Sequence, residues 1–394
     1  MTVVDGAVLT VNAGSSSIKL AVFAAADATT PILTGQIERI GTPEITAKLR
    51  PEGGDSIPAE LGAEGAMGHE TALSALLPQI ASQAGQPIIA ASHRIVHGGV
   101  DFTAPVVVDA GVLAGLERLI PLARTHQPHG IAAIRAVEKI WPAIPQVACF
   151  DTAFHASVPD SARAIALPKA VRDAGVRRYG FHGLSYQWIA DRLPEVLGDR
   201  AEGRVIAAHL GNGASLCGMV GRQSRATTMG FTPLDGLVMG ERPGATDPGA
   251  VLFMLEEMGM DVPALRETLF KRSGLLGLSG LSNDMRTLLG SDAPEAAFAV
   301  EVYVHRAVRE IGAIAAEIGG LDALVFTGGV GENAAPIRAG IVSRLGWLGL
   351  SLDAAANEVG AARISTAASI PAVIVPANEE AVLAQSTMAV LGPV

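Results

Sequence analysis

Lysine is scarce in this 394-residue chain: Lys19, Lys48, Lys139, Lys169 and Lys271 are the only five among 29 basic residues, the rest being arginine. None follows a glycine, which excludes the GxxxxGK[ST] phosphate loop. No GxSxG elbow, CxxC pair or HExxH zinc motif is present, and where His93 and His97 stand four apart, Arg94 replaces the glutamate a zincin needs. Cysteine is limited to Cys149 and Cys217, far apart and flanked by apolar residues, so a disulfide framework is excluded and buried free thiols are expected. Long apolar runs are also missing. Stretches such as SIPAVIVPA (369–377) fall well short of the ~18–20 residues a membrane span requires. The first residues lack a basic segment and carry Asp5, so no signal peptide is expected and the protein reads as soluble and cytoplasmic. A net charge of −10 and a pI near 5.4 argue against nucleic acid or an anionic membrane as partner.

What is present is a folded α/β chain. Apolar residues make up 49 % and charged residues 17 %, enough for two or three domains with ample core. Residues 7–23 (AVLTVNAGSSSIKLAVF) and 204–220 (RVIAAHLGNGASLCGMV) read as the same device: an apolar run, a turn of Gly, Asn and Ser, and an apolar run that returns. Two such hairpins predict a duplicated fold whose donor-rich turns face one cleft and suit a polyphosphate. Strands are predicted at 86–96, 144–151, 322–329 and 370–377, and helices at 110–123, 130–140, 298–318 and from Asn378 to Gly392. Segment 51–68, rich in Gly, Pro and acids, reads as a surface excursion. The predicted domains are 1–151 plus 381–394, and 152–380.

Several residues stand where chemistry is possible. In NAGSSSIK (12–19), Asn12, Ser15 and Ser17 place short polar groups beside a glycine, and alternation puts Lys19 on the ligand face; an ordinary hairpin turn is the alternative. His209 and Asn212 in HLGNGAS stand in the same relation to the second turn. FTGGVGEN (326–333) ends a strand in glycines before a helix, a geometry that lets backbone approach a nucleotide. Arg94 and Arg242 lack local helical partners, and a guanidinium suits a transferring phosphoryl group or clamps a carboxylate; surface arginines are the alternative. His126, His182 and His209 adjoin turns. Asp151 ends a strand, either as a cap or to orient an arginine or metal, and Asp284 and Arg286 in LSNDMR read as a first-turn acid and a loop cation.

Taken together, VNAGSSSIKL (11–20), SHRIVHGG (92–99), FDTAFH (150–155), RRYGFHGLSY (177–186), HLGNGAS (209–215), MGFTPLDGLVMG (229–240), TDPG (246–249), SGLLGLS (273–279), FTGGVGEN (326–333) and NEEAVLA (378–384) resemble the acetate kinase family across nearly the whole chain, in order and spacing. That family belongs with sugar kinases, chaperone ATPases and actin. The resemblance implies two duplicated ribonuclease-H-like, actin-like ATPase domains around a nucleotide cleft, direct in-line transfer between ATP and acetate giving ADP and acetyl phosphate, Mg²⁺ or Mn²⁺, and a homodimer. It further implies that Asn12 and Glu379 hold the metal and that Arg94 and Arg242 hold the carboxylate and the phosphoryl group. Asp151 would position Arg94 or the metal shell, and His182 would stabilise the transition state. His126, His209 and Asn212 would bind phosphates, with Ser15, Ser17 and Lys19 lining the first turn. Asp284, Arg286 and Gly331 would contact adenosine; Val96, Phe181 and Pro233 would form the methyl pocket.

The chain departs from the family's usual pattern at Thr125 and Gln127 around His126, at Glu241 before Arg242 and at Ala377 before Asn378. One methylene in an acyl pocket changes discrimination by only about 1–3 kcal/mol, so a propionate or other short-chain acyl kinase is the alternative reading. An actin-like or chaperone-like ATPase is the more distant one.

Overall fold

The computed structural model describes residues 6–62 and 65–392; residues 1–5, 63–64 and 393–394, which fall within the ranges discussed above, lie outside it. The chain forms two compact units, Met1–Phe154 with Asn378–Val394, and His155–Ala377. The sequence reading set these breaks at 151 and 380; the observed ones place Glu379 and Glu380 in the first unit.

The first unit is built on an eight-stranded sheet: β1 Ala7–Ala13, β2 Ser17–Ala24, β3 Asp27–Glu38, β4 Thr46–Pro51, β5 Ile57–Ala59, β6 Ile88–Ile95, β7 Val106–Val107 and β8 Gln146–Phe150, in the order β5-β4-β3-β2-β1-β6-β8-β7. β1 pairs antiparallel with β2 and parallel with β6, which in turn is parallel to β8. Period-2 alternation splits β1 between two faces. Leu9, Val11 and Ala13 enter a core with Leu73 and Leu76 of the His69–Gln83 helix and Val137 of the Gln127–Ile140 helix. Asn12 points to the other face, where it meets Glu379 at the start of the Glu379–Leu391 helix. Asn378 caps that helix through the Ala381 amide, and Glu379 and Glu380 occupy its first turn, as expected of an acid-rich N-terminus.

The second unit repeats the scheme. Its strands are β9 Arg204–Leu210, β10 Ala214–Val220, β11 Gln223–Thr227, β12 Ala323–Thr327 and β13 Ala372–Ile374, in the order β11-β10-β9-β12-β13. β9, β10 and β11 are antiparallel, whereas β9, β12 and β13 are parallel. With β4, β5 and β7 left out, the first sheet reads β3-β2-β1-β6-β8, the same order and the same directions as β11-β10-β9-β12-β13, so the duplication read from two hairpins extends to the sheets. The Pro294–Glu317 helix packs on this sheet at Gly218, where a Cβ would lie 2.5 Å from Ile314.

Some local expectations changed. The helix expected over 110–123 ends at Arg118, with a short 3-10 turn at Ile120–Leu122, because Pro121 has no N–H to continue the ladder. The 51–68 excursion contains a strand, β5, paired to β4. Cys149 and Cys217 are buried free thiols, raised by burial to about 11 and about 12. Among the described residues, no helix is long and apolar enough to cross a membrane.

Candidate active site

In the first unit, the sheet register assembles a charged cluster. β1 and β6 pair Val11 with His93, so Asn12 and Arg94 stand side by side on the same face. One strand further, Ile95 pairs with Phe150 and its carbonyl accepts from the Asp151 amide at 3.0 Å. The Arg94 guanidinium therefore meets the Asp151 carboxylate as a fork: Nε donates to Oδ1 at 2.9 Å and Nη2 to Oδ2 at 2.6 Å. Nη1 donates to Asn12 Oδ1 at 3.0 Å, and Glu379 Oε2 lies 3.9 Å from Nε. Burial alone would lower the Arg94 pKa, but Asp151, Glu379 and Glu380 together raise it, so the guanidinium is permanently charged. Three of its five N–H groups are committed, leaving one on each terminal nitrogen.

The same cluster suits a divalent cation. Asn12 Nδ2 donates to Glu379 Oε2 at 3.5 Å, while its Oδ1 accepts from Arg94, so the amide ties the acid to the same cluster. With Glu380 and Asp151, three acids face one arginine, a local excess of negative charge. A hard cation that keeps several waters and takes one or two protein oxygens plus substrate phosphates fits such a donor set. Among the described residues, no group of three or more His, Cys, Asp or Glu side chains forms a complete metal site.

The first turn, residues 14–16, is closed by the Gly14 amide on the Ser17 carbonyl at 2.8 Å. Ser15 is exposed and Ser17 half-buried; Lys19 is exposed and pairs with Asn12 across β1 and β2. Sequence reasoning missed His69, whose Nε2 contacts the Gly14 carbonyl at 2.7 Å and whose ring stacks on His129 at 3.9 Å. It begins a helix, with no motif to mark it. His126 precedes the Gln127–Ile140 helix, and its Nδ1 meets Thr125 Oγ1 at 2.9 Å. Gln127 is buried and holds His97 by both backbone groups: its Oε1 accepts from the His97 amide and its Nε2 donates to the His97 carbonyl. Val96 is also buried.

The second unit gathers the other candidates. His182 adopts φ +59° just before the Gly183–Leu197 helix, a left-handed conformation that a β-carbon-bearing residue keeps only when its surroundings hold it. Those surroundings are visible. His182 Nδ1 meets Ser215 Oγ at 2.8 Å, Tyr186 Oη meets the same hydroxyl at 2.5 Å, and the ring stacks on His209 at 4.4 Å. His209 Nδ1 in turn meets Ser185 Oγ at 2.8 Å. Ser185, Tyr186 and Ser215 were not foreseen as members of this group; their positions on helix and strand carry no signal of it. Arg242 joins at Gly213, where a Cβ would lie 2.8 Å from Arg242 Nη2 and 3.2 Å from His182 Nε2. Its Nη1 donates to the Pro233 carbonyl at 2.7 Å, and Phe181 is buried directly before His182. Imidazole and guanidinium thus converge on the turn at Gly213.

Beside that turn lies a cavity of about 790 Å³, lined by Asn212, Asp284, Arg286, Gly329, Val330 and Asn333 among others. Asp284 caps the Met285–Leu289 helix and pairs with Arg286 through Oδ2 and Nη2 at 2.6 Å; that bond holds its carboxyl below the usual range. Arg286, expected in a loop, belongs to that short helix. Gly331 is buried inside the Gly328–Asn333 helix with its carbonyl accepting from Arg338 at 3.0 Å, and its neighbours Gly329 and Val330 line the cavity instead. Gly328, at φ +77°, lets this helix leave β12 with a Cβ position only 2.8 Å from the Leu210 carbonyl oxygen.

A family model, the acetokinase family, matches residues 7–385. The chain is 48 % identical over 385 residues to the acetate kinase of Rhodopseudomonas palustris (strain ATCC BAA-98 / CGA009), covering 96 % of each. To that of Rhizobium meliloti it is 47 % identical over 388 residues, covering 98 % of each. Among solved structures, Porphyromonas gingivalis acetate kinase superposes with a TM-score of 0.88 at 35 % identity, covering 98 % of this chain and 100 % of that one. A propionate kinase from Francisella tularensis subsp. tularensis SCHU S4 gives 0.91 at 35 % identity, covering 97 % and 98 %.

Proposed function

The chain belongs to the acetokinase family, and on that premise we propose that its two residue clusters serve one reaction, phosphoryl transfer between ATP and acetate. The observation that carries this reading is the pair of anchored guanidiniums, Arg94 on Asp151 and Arg242 beside His182 at Gly213. Acetate is ionised at neutral pH, so its oxygen attacks the γ-phosphorus without a general base. The new O–P bond forms as the bond to the β-phosphate oxygen breaks, and ADP leaves with the electron pair. Catalysis then consists of alignment and charge stabilisation.

Arg94, fixed by Asp151, holds the acetate carboxylate with its remaining N–H groups. Arg242 and His182 donate to the equatorial oxygens of the transferring group, His182 oriented by Ser215. His126, His209 and Asn212 contact the phosphates, as do Ser15, Ser17 and Lys19. Asp284 and Arg286 line the adenosine cavity, with Gly331 supporting the helix that borders it. Val96, Phe181 and Pro233 form the methyl pocket. Asn12 and Glu379 hold Mg²⁺ or Mn²⁺, which when bound neutralises phosphate charge. A homodimer in the cytoplasm completes the reading.

A short-chain acyl kinase of propionate is the second reading, supported by the likeness to a solved propionate kinase at a TM-score of 0.91 and 35 % identity. Hydroxylamine trapping with MgATP and acetate, propionate or butyrate tests both. Hydroxamate greatest with acetate supports the first reading, greatest with propionate the second, and none with any of them removes both.

A further inference from the structure

The first unit has a cavity of its own, of about 450 Å³, lined by Lys19, Lys48 and Arg50 with Phe23, Pro31 and Glu380. The strand register explains why these cations meet. Asn12 pairs with Lys19, Lys19 with Gln36, and Gln36 with Lys48. Directly paired residues share a face, so these four form one row across β1 to β4. At about 4.8 Å per strand, Lys48 stands roughly 14 Å along the sheet from Asn12. Arg50, two residues beyond Lys48, returns to the same face. Two of the chain's five lysines thus line one cavity in a protein of net charge −10.

Among the described residues, none of the three cations forms an ion pair. Arg50 Nε donates only to the Gly54 carbonyl, and Gln36, between the lysines, directs its amide to Glu38. Glu380 is the one acid among the lining residues, which leaves a positive excess. Like charges gathered on one sheet face repel, and a cavity of one sign concentrates ligands of the other. The apolar floor at Phe23 and Pro31 adds contact surface.

We propose that this cavity is a second ligand site, for a compact phosphorylated anion of at least two negative charges, held by Lys48 and Arg50 and reaching Lys19. Lys19 belongs both to this row and, on the function proposed above, to the phosphate turn. A ligand here draws Lys19 away from the nucleotide and raises the KM for ATP. Only that consequence rests on the kinase reading; binding itself does not.

The test is calorimetric titration of the full chain with inorganic pyrophosphate in the presence of excess ADP, without added metal. The expected result is one pyrophosphate site in the native protein, weakened about tenfold or more in K48A/R50A by loss of two charge-assisted contacts and retained in K48R/R50K. K48A/R50A should keep the native kcat, and pyrophosphate should raise its KM for ATP less than it raises that of the native enzyme. Equal binding by native and K48A/R50A, or no second site in the native chain, overturns the proposal. A native chain that binds pyrophosphate here yet makes no acetyl phosphate would overturn the kinase reading alone.

Discussion

Arg94 and Asp151, 57 residues apart in sequence, meet as a two-point ion pair with Nε–Oδ1 at 2.9 Å and Nη2–Oδ2 at 2.6 Å. Only a planar fork gives both bonds together, and only the parallel register of β6 with β8 brings the two strand ends level. The pair turns a flexible side chain into a fixed one. Its remaining N–H groups are then aimed without further loss of side-chain freedom on binding.

The first prediction concerns that fork. Arg94→Lys retains the charge but forms one bond where arginine forms two, and Arg94→Ala removes both. Loss of kcat of about 10²-fold or more is expected for Arg94→Ala and for Arg242→Ala. Steady-state kinetics with acetate and ATP check it. Near-native turnover of Arg242→Ala would show that its guanidinium does not contact the transferring group.

Ser215 holds His182 at a strained φ through Nδ1, and Tyr186 shares the same hydroxyl. Ser215→Ala is expected to lower kcat about tenfold, the equivalent of one positioning hydrogen bond, with little change in the KM for acetate. A change in KM alone would place Ser215 in ground-state binding instead.

His69 contacts the first turn, residues 14–16, through the Gly14 carbonyl. Replacing it with alanine should raise the KM for ATP several-fold and leave the KM for acetate unchanged. Parallel substrate titrations distinguish this from general destabilisation, in which both would suffer alike.

Stability should fall on the acid side in a defined window. Burial lowers His93, His97 and His155 to about 4 from an ordinary value near 6.5. The folded chain keeps these rings neutral while the unfolded chain protonates them, so their contribution is complete above pH 6.5. It is lost as pH falls from there toward 4. Denaturant midpoints measured from pH 7.5 to 4.5 should decline below pH 6.5; a flat profile would mean that the rings are not neutral when folded.

Gly328→Ala should destabilise the second unit by about 1–3 kcal/mol, because the residue sits at positive φ against the Leu210 carbonyl. Chemical denaturation reads the change directly. An unchanged midpoint would show that the turn relaxes freely.

Much of this was legible in the sequence because it depends on short-range pattern. The hairpins at 7–23 and 204–220 announced themselves by apolar runs around Gly-Asn-Ser turns, and Asn378 by its place before two acids. The partners of the site residues were not legible. Ser215 reaches His182 from a strand to the residue before a helix, His69 reaches Gly14 from the start of a distant helix, and neither relationship leaves a local period in the chain. Gly331 shows the opposite limit: its motif was visible, but backbone geometry turned its neighbours to the cavity and buried Gly331 itself.

The most direct measurement is ADP release from MgATP with and without acetate, together with acetyl phosphate formed in the same reaction. The account predicts that ADP release depends on acetate and that one acetyl phosphate appears for each ADP. ADP released at the same rate without acetate, or with no acetyl phosphate formed, would contradict direct transfer and make the chain an ATPase.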